Sequence, residues 1–273
     1  MSQPADFRPT RVAAVQMVSA PDVSTNLRVA AELIDQAVAQ GASVVLLPEY
    51  FCLMGHHDAD KVAVREPLGQ GPIQDFLAHT ARHHGIWLIG GTLPLECPNP
   101  GQVYNTTLVF DPQGQRVARY DKIHLFGFRR DHEAYDESTT ILAGSTPCAV
   151  AMPWGRLGLS VCYDLRFPEL YRAMGEPDLI VVPAAFTYTT GKAHWEILLR
   201  ARAIENQCYV LASAQGGKHP NGRRTWGHSM LIDPWGDVVA VLPEGPGVVC
   251  GDLDPARQHE VRTALPALRH RLL

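Results

Sequence analysis

The chain has 273 residues, 46% hydrophobic and 19% charged, the balance of a chain that folds around a buried core. A formal charge of -4 leaves no cationic footprint for nucleic acid or an anionic membrane surface, so the expected partner is a small molecule. No apolar run approaches the roughly 20 residues that span a bilayer, and the six cysteines (52, 97, 148, 162, 208 and 250) stand singly, against a zinc knuckle, redox dithiol or disulfide scaffold.

The opening Met1–Thr10 lacks the basic-then-apolar make-up of a secretory signal, and the scattered cysteines suit a reducing cytoplasm. Arg11–Val18 then reads as a buried strand. Ser24 or Thr25 is placed to cap a helix through Leu27, Ala30, Ile34 and Val38, with Gly41 as its stop. Ser43–Leu47 is a short apolar strand of the parallel kind, ending at Pro48-Glu49-Tyr50. Strand, helix, strand is the opening of a layered α/β fold. From Phe51 to Gly71 the composition predicts a long loop; Gly71-Pro72 begins a helix that Gly85 closes, and Ile86–Gly91 is another strand.

Val103–Phe110 and Val117–Tyr120 form a hairpin about Asp111-Pro112-Gln113-Gly114, and His228–Ile232 and Val238–Ala240 form another about Asp233-Pro234-Trp235-Gly236. One such hairpin in each half suggests two related α/β halves whose sheets pack face to face. The alternative is that this turn recurs in unrelated hairpins. Between them lie strands at Pro147–Ala151, Leu157–Val161, Asp178–Pro183 and Cys208–Ala212, with helices to about Met174 and over His194–Ile204. Val248–Asp252 is a last strand and Pro255–Ala264 a last helix. No linker or low-complexity stretch divides the chain, so one domain over 1–273 is expected, with its core at about 10–254 and a C-terminal helix and tail at 255–273.

Three reactive residues leave strand ends: Glu49, Lys122 and Cys162. In layered α/β proteins ligands bind beyond the carboxyl ends of the strands, where these three would converge. A carboxylate beside a thiol can take its proton, so that the thiolate attacks a carbonyl carbon; a lysine beside it lowers the thiol pKa and steadies the oxyanion. Each residue has a plainer alternative: a buried structural cysteine, a helix-capping carboxylate, an exposed strand-end charge.

The blocks Leu47-Pro48-Glu49, Tyr120-Asp121-Lys122-Ile123-His124-Leu125-Phe126 and Val161-Cys162-Tyr163-Asp164-Leu165-Arg166-Phe167-Pro168-Glu169-Leu170 resemble, in order, the signatures of the nitrilase (carbon–nitrogen hydrolase) superfamily. The resemblance covers nearly the whole chain. It implies a four-layer α-β-β-α sandwich with internal pseudo-two-fold symmetry, commonly assembled as a homodimer or higher homo-oligomer. It also implies a Glu–Lys–Cys triad that hydrolyses non-peptide C–N bonds through a thioester, with no cofactor or metal. A second glutamate of the family is matched in context by Glu137, with Glu133 its nearest competitor.

The Cys162-Tyr163-Asp164 context is similar to the Nit subgroup, whose members are ω-amidase-like or deaminated-glutathione-amidase-like. Gly222–Met230, Asp233–Gly236 and Leu265–His270 lean toward the second. Pro48-Glu49-Tyr50 departs from the Pro-Glu-Asn or Pro-Glu-Cys often seen there. The expected reaction is cleavage of a small carboxylate-bearing linear amide with release of ammonia; an ω-amidase on 2-oxoglutaramate-type amides, or a catalytically silent binding protein of the same fold, is the rival reading. Lys122 and the Tyr163 N–H are the expected oxyanion donors. Phe186 and Thr187 leave a strand end and are candidate pocket residues. Arg166 either holds its turn through a carboxylate, of Glu169 or of a partner chain, or meets a substrate carboxylate. The paired histidines His56-His57 and His83-His84 diverge on any helix or strand, so no metal site is assigned.

Overall fold

Alternation along one strand sets the layering. In the computed structural model, which describes residues 7–130 and 133–272, β1 (Thr10–Gln16) turns Val12 and Ala14 to one face and Ala13 and Val15 to the other, and all four are fully buried. A strand with period two does this only when both faces of its sheet are covered. The first half continues with α1 (Val23–Ala39), β2 (Val44–Leu46), α2 (Asp60–Ala63), α3 (Pro72–His84), β3 (Trp87–Ile89), β4 (Leu93–Glu96), β5 (Val103–Phe110) and β6 (Arg116–Asp121). A small hairpin, β7 (Gly127–Arg130) with β8 (Glu133–Asp136), leads to the second half. There follow β9 (Cys148–Met152), β10 (Gly155–Leu159), α4 (Pro168–Ala173), β11 (Leu179–Ala184), α5 (Tyr188–Asn206) and β12 (Tyr209–Ala214). The chain closes with β13 (Gly216–Lys218), β14 (Arg224–Trp226), β15 (Ser229–Ile232), β16 (Val238–Leu242), β17 (Gly247–Leu253) and α6 (Pro255–Ala264).

Ala13, Val15 and Val45 pack with Leu33 and Ile34 of α1 and Ile73 and Leu77 of α3. Val12, Ala14, Val44 and Leu46 meet Leu157, Val181 and Leu211 of a second sheet, whose cluster extends to Tyr171 of α4 and Trp195 and Leu199 of α5. The order is helices, sheet, sheet, helices, the four-layer sandwich expected.

The two halves repeat one topology. Parallel β1-β2-β3 corresponds to parallel β10-β11-β12. Each trio carries an antiparallel strand on its first edge, β17 or β9, and an antiparallel hairpin on its last, β5-β6 or β15-β16. The hairpin turns match atom for atom. Asp111 Oδ1 accepts from the N–H groups of Gln113 (3.0 Å) and Gln115 (2.8 Å), and Asp233 Oδ1 from those of Trp235 (2.9 Å) and Asp237 (2.8 Å). Gly114 and Gly236 take the positive φ that each turn needs, 75° and 96°. The shared turn therefore marks an internal repeat.

Several boundaries differ from expectation. The cap of α1 is Asp22, whose Oδ1 accepts from the Thr25 N–H at 2.7 Å; Ser24 only hydrogen-bonds that carboxylate. α5 starts six residues before His194, because the Thr187 hydroxyl accepts from the Thr190 N–H and supplies a cap there. β10 ends at Leu159 rather than Val161. By contrast α3 spans Pro72 to His84, with Gly85 left-handed at φ 64° as its stop. Met1–Asp6, on which part of the signal-peptide reading rests, lie outside the described residues. Among those described, no helix is long and apolar enough to cross a membrane.

Candidate active site

Cys162 occupies a forced backbone position. After β10, the Ser160 hydroxyl donates to the Val181 carbonyl (2.9 Å), Val161 is extended, and Cys162 is left-handed at φ 50°. A residue with a Cβ takes that conformation at a cost of about 1–3 kcal/mol and only where its surroundings over-determine it. The determinant is Asp164, which is fully buried. Its carboxylate accepts from the Val161 N–H (2.9 Å), closing the elbow around the cysteine. It also accepts from the Tyr120 hydroxyl (2.7 Å) and the His124 N–H (3.0 Å), and it meets His124 Nδ1 at 2.7 Å. One carboxylate thus ties the cysteine turn to the segment that carries Lys122.

Glu49 is pinned on both sides. Its carbonyl accepts from Gln215 Nε2 (3.1 Å), and the next N–H, that of Tyr50, donates to Thr92 Oγ1 (2.9 Å). Gly91 lets the neighbouring strand end approach: at φ 51°, a Cβ there would stand 2.1 Å from the Pro48 carbonyl oxygen. The Glu49 carboxylate accepts from Lys122 Nζ (2.9 Å) and Asn105 Nδ2 (2.9 Å) through Oε1, and from the Ala185 N–H (2.9 Å) through Oε2. Lys122 Nζ has no exposed surface and is also bonded to Glu137, at 3.0 Å to Oε1 and 2.7 Å to Oε2. Glu137 in turn accepts from the Tyr50 hydroxyl (2.8 Å) and the Phe126 N–H (2.7 Å).

This arrangement sets the charges. Burial alone would depress the Lys122 ammonium, but Glu137 and Glu49 outweigh it and hold its pKa well above the usual lysine value. Burial would raise Glu137; the Lys122 charge and the hydrogen bonds it accepts bring it below the usual carboxylate value. The Cys162 thiol is pushed well up, first by burial and then by the Glu49 carboxylate, with Lys122 pulling the other way. Lys122 does pull the thiol pKa down as expected, but burial and the Glu49 carboxylate outweigh it, so the net direction is upward.

A cleft opens on Cys162, lined by Phe126, Tyr163, Arg166, Ala185, Phe186, Thr187 and Thr190. All four residues expected to touch substrate are in it. Arg166 lies over the rings of Tyr163 (5.6 Å) and Phe186 (5.4 Å), with one Nη 3.3 Å from His194 Nδ1. Among the described residues no ion pair joins it to Glu169, and the arginine lines the cleft. Thr187 both lines the cleft and caps α5.

Glu49, Lys122, Cys162 and Glu137 are thus brought together as the sequence led us to expect. The side chain of Glu133 lies outside the described residues. Asn105, Gln215 and Thr92 carry no mark in the sequence, because their roles depend on which strands neighbour β2. Tyr120, His124 and Asp164 stand inside the quoted blocks, but nothing in their spacing shows that they converge.

Comparison with known proteins places this geometry among relatives. A family model described as carbon–nitrogen hydrolase matches residues 11–263. A protein named deaminated glutathione amidase from Synechocystis is 44% identical over 272 residues, covering 97% of this chain and 99% of that protein. A human protein of the same name is 39% identical over 267 residues, covering 95% of this chain and 81% of the other. The crystal structure of Saccharomyces cerevisiae Nit3, described as a member of branch 10 of the nitrilase superfamily, superposes with a TM-score of 0.89 at 30% identity, covering 100% of both chains.

Proposed function

We propose a function from one premise: the chain belongs to the carbon–nitrogen hydrolase family, and within it is an amidase. The reading is that Cys162 attacks the carbonyl of a small carboxylate-bearing linear amide. What carries it is the contact set of Lys122 Nζ with Glu49 (2.9 Å) and Glu137 (2.7 Å) beside a thiol held at φ 50° in an open cleft.

Because burial and the Glu49 carboxylate raise the thiol's pKa, deprotonation accompanies attack. Glu49 takes the Sγ proton as the C–S bond forms, and the carbonyl oxygen gains negative charge. Lys122 Nζ and the Tyr163 N–H are the donors assigned to that oxyanion. Glu49 passes its proton to the departing nitrogen as the C–N bond breaks, leaving a thioester. It then takes a proton from water, whose oxygen attacks the thioester, and returns it to the thiolate as the acid leaves. Glu137 keeps Lys122 charged and aimed. The amine that leaves is ammonia from a primary amide, or the substituted amine from an N-acyl compound.

Arg166 is the residue assigned to the carboxylate on the acyl side, since its guanidinium lines the cleft with Cys162. Relatives named deaminated glutathione amidase support that compound class over 2-oxoglutaramate-type ω-amides. Kinetics on deaminated glutathione, 2-oxoglutaramate and a simple nitrile test it: the highest kcat/KM is expected for the first, and equal or greater turnover of the nitrile would overturn the reading. A single domain over the whole chain, a homodimer and a cytoplasmic location complete the proposal. Its supports are the family resemblance for the first two and six scattered, unpaired thiols for the last.

A further inference from the structure

A second lysine is built into the surroundings of Glu137. Lys61, on α2, has a side chain only 14% exposed, and its Nζ lies 5.4 Å over the Tyr50 ring and donates to Thr140 Oγ1 at 3.3 Å. Both contacts lead to Glu137 in one step. The Tyr50 hydroxyl donates to the Glu137 carboxylate (2.8 Å), and the Thr140 N–H donates to the Glu137 carbonyl (3.1 Å), closing the single turn Glu137–Thr139. Lys61 therefore ties the side chain that holds Glu137 to the turn that carries it.

Tyr50 needs such a restraint. It directly follows Glu49 and is left-handed at φ 56°, a conformation that costs a residue with a Cβ about 1–3 kcal/mol and persists only where contacts enforce it. Thr92 holds its N–H and Glu137 its hydroxyl; the ammonium over its ring is the third hold. The charges ask for a cation as well, since Glu49 and Glu137 set two buried carboxylates against the one ammonium of Lys122. The ion pair of Lys61 with Asp58, at 3.6 Å, weighs little because Asp58 is largely solvated. Burial draws the Lys61 ammonium below the usual lysine value; Asp58 and then Glu137 favour its charged form, while Arg223 and Lys122 oppose it. Lys61 also stands apart from the cleft. It lines a separate cavity with Tyr50, Cys52 and Asn105, none of which lines the cleft at Cys162.

We propose that Lys61 is a positioning residue for the reaction: through Tyr50 and Thr140 it holds Glu137 against Lys122, and its charge offsets the surplus negative charge of Glu49, Glu137 and Lys122. This rests on the amidase reading above. Lys61 touches neither substrate nor the transferred proton, so its effect falls on the chemical step and on the charge of Glu137.

The test is the pH profile of Lys61→Met, which keeps the aliphatic stem and removes the charge. Its kcat should fall about 10-fold with KM unchanged within about twofold, for carboxylate-bearing and uncharged amides alike. Lys61 helps keep the Glu137 carboxyl ionised, so without it the acid limb of kcat/KM should move to higher pH by about half a unit. Lys61→Arg should restore both. Lys61→Gln, which keeps a donor for Thr140, should move the limb equally with a smaller loss of kcat, so a folding defect in Lys61→Met does not blunt the comparison. Partial misfolding lowers the whole profile and leaves the limb in place. A limb at the wild-type pH in both uncharged variants overturns the inference. So does a loss confined to KM for carboxylate-bearing amides, which would make Lys61 a substrate ligand. Either result leaves the amidase reading intact, whereas hydrolysis of no amide by the wild type overturns both.

Discussion

Asp164 and His124 stand two residues beyond Cys162 and Lys122, and they bond twice: the Asp164 carboxylate accepts from the His124 N–H at 3.0 Å and meets its Nδ1 at 2.7 Å. Since the same carboxylate closes the cysteine elbow, the distance between nucleophile and lysine is set by a group that touches neither substrate nor proton. Asp164→Ala should strand several buried donors and destabilise the fold by about 3 kcal/mol or more. Denaturant unfolding would show this as a shifted midpoint at unchanged slope. A variant as stable as the wild type would remove Asp164 from this role.

Glu137 should make activity fall on the acid side. Its folded pKa lies below its unfolded one, because the charge of Lys122 overcomes burial, so its contribution to stability is present above the unfolded value and is lost as pH drops through the folded one. Tyr50→Phe removes one donor to that carboxylate, leaving its pKa closer to the ordinary range. The acid limb of kcat/KM should therefore move to higher pH, whereas loss of packing alone would lower the whole profile without moving the limb.

The raised thiol gives an inverted expectation for Glu49. Glu49→Gln should abolish turnover yet speed alkylation of Cys162 by iodoacetamide at neutral pH, because a negative charge beside the sulfur is gone. Lys122→Met should slow that alkylation. Peptide mass spectrometry follows both; slower alkylation in Glu49→Gln would mean that the carboxylate already holds the thiol's proton at rest.

Arg166 faces the cleft with its guanidinium stacked on two rings. Arg166→Met should raise KM for carboxylate-bearing amides by about 10- to 100-fold, the value of a charged hydrogen-bonded pair, with a smaller effect on kcat. Equal losses for charged and uncharged amides would show that the arginine only packs.

Much of this was legible in the sequence because it is local. Gly71-Pro72 and Gly85 bound α3 by backbone chemistry alone, and the two Asp-Pro-x-Gly turns exposed the repeat. The hairpins β7-β8 and β13-β14 were not, being short and lacking the apolar alternation of a strand with a buried face. The cap of α1 was misplaced by two or three residues because Asp22, Ser24 and Thr25 are all competent caps and only geometry chooses among them. At the site, strand ends made Glu49, Lys122 and Cys162 candidates, and the three blocks in family order singled them out. The left-handed backbone of Cys162 could not, since no glycine signals it and its cause, Asp164, acts through tertiary bonds. Nor could the net thiol shift, where burial exceeds the pull of the lysine.

The central claim is that Cys162 carries the acyl group. An activated ester of the acyl chain, whose alcohol departs more readily than an amine, should make hydrolysis of the thioester rate-limiting. Acid quenching during turnover, followed by peptide mass spectrometry, should then show the acyl mass on the peptide containing Cys162, and nowhere in Cys162→Ala, which should also lose activity. Full turnover with Cys162 unmodified, or an acyl group on another residue, would contradict the account.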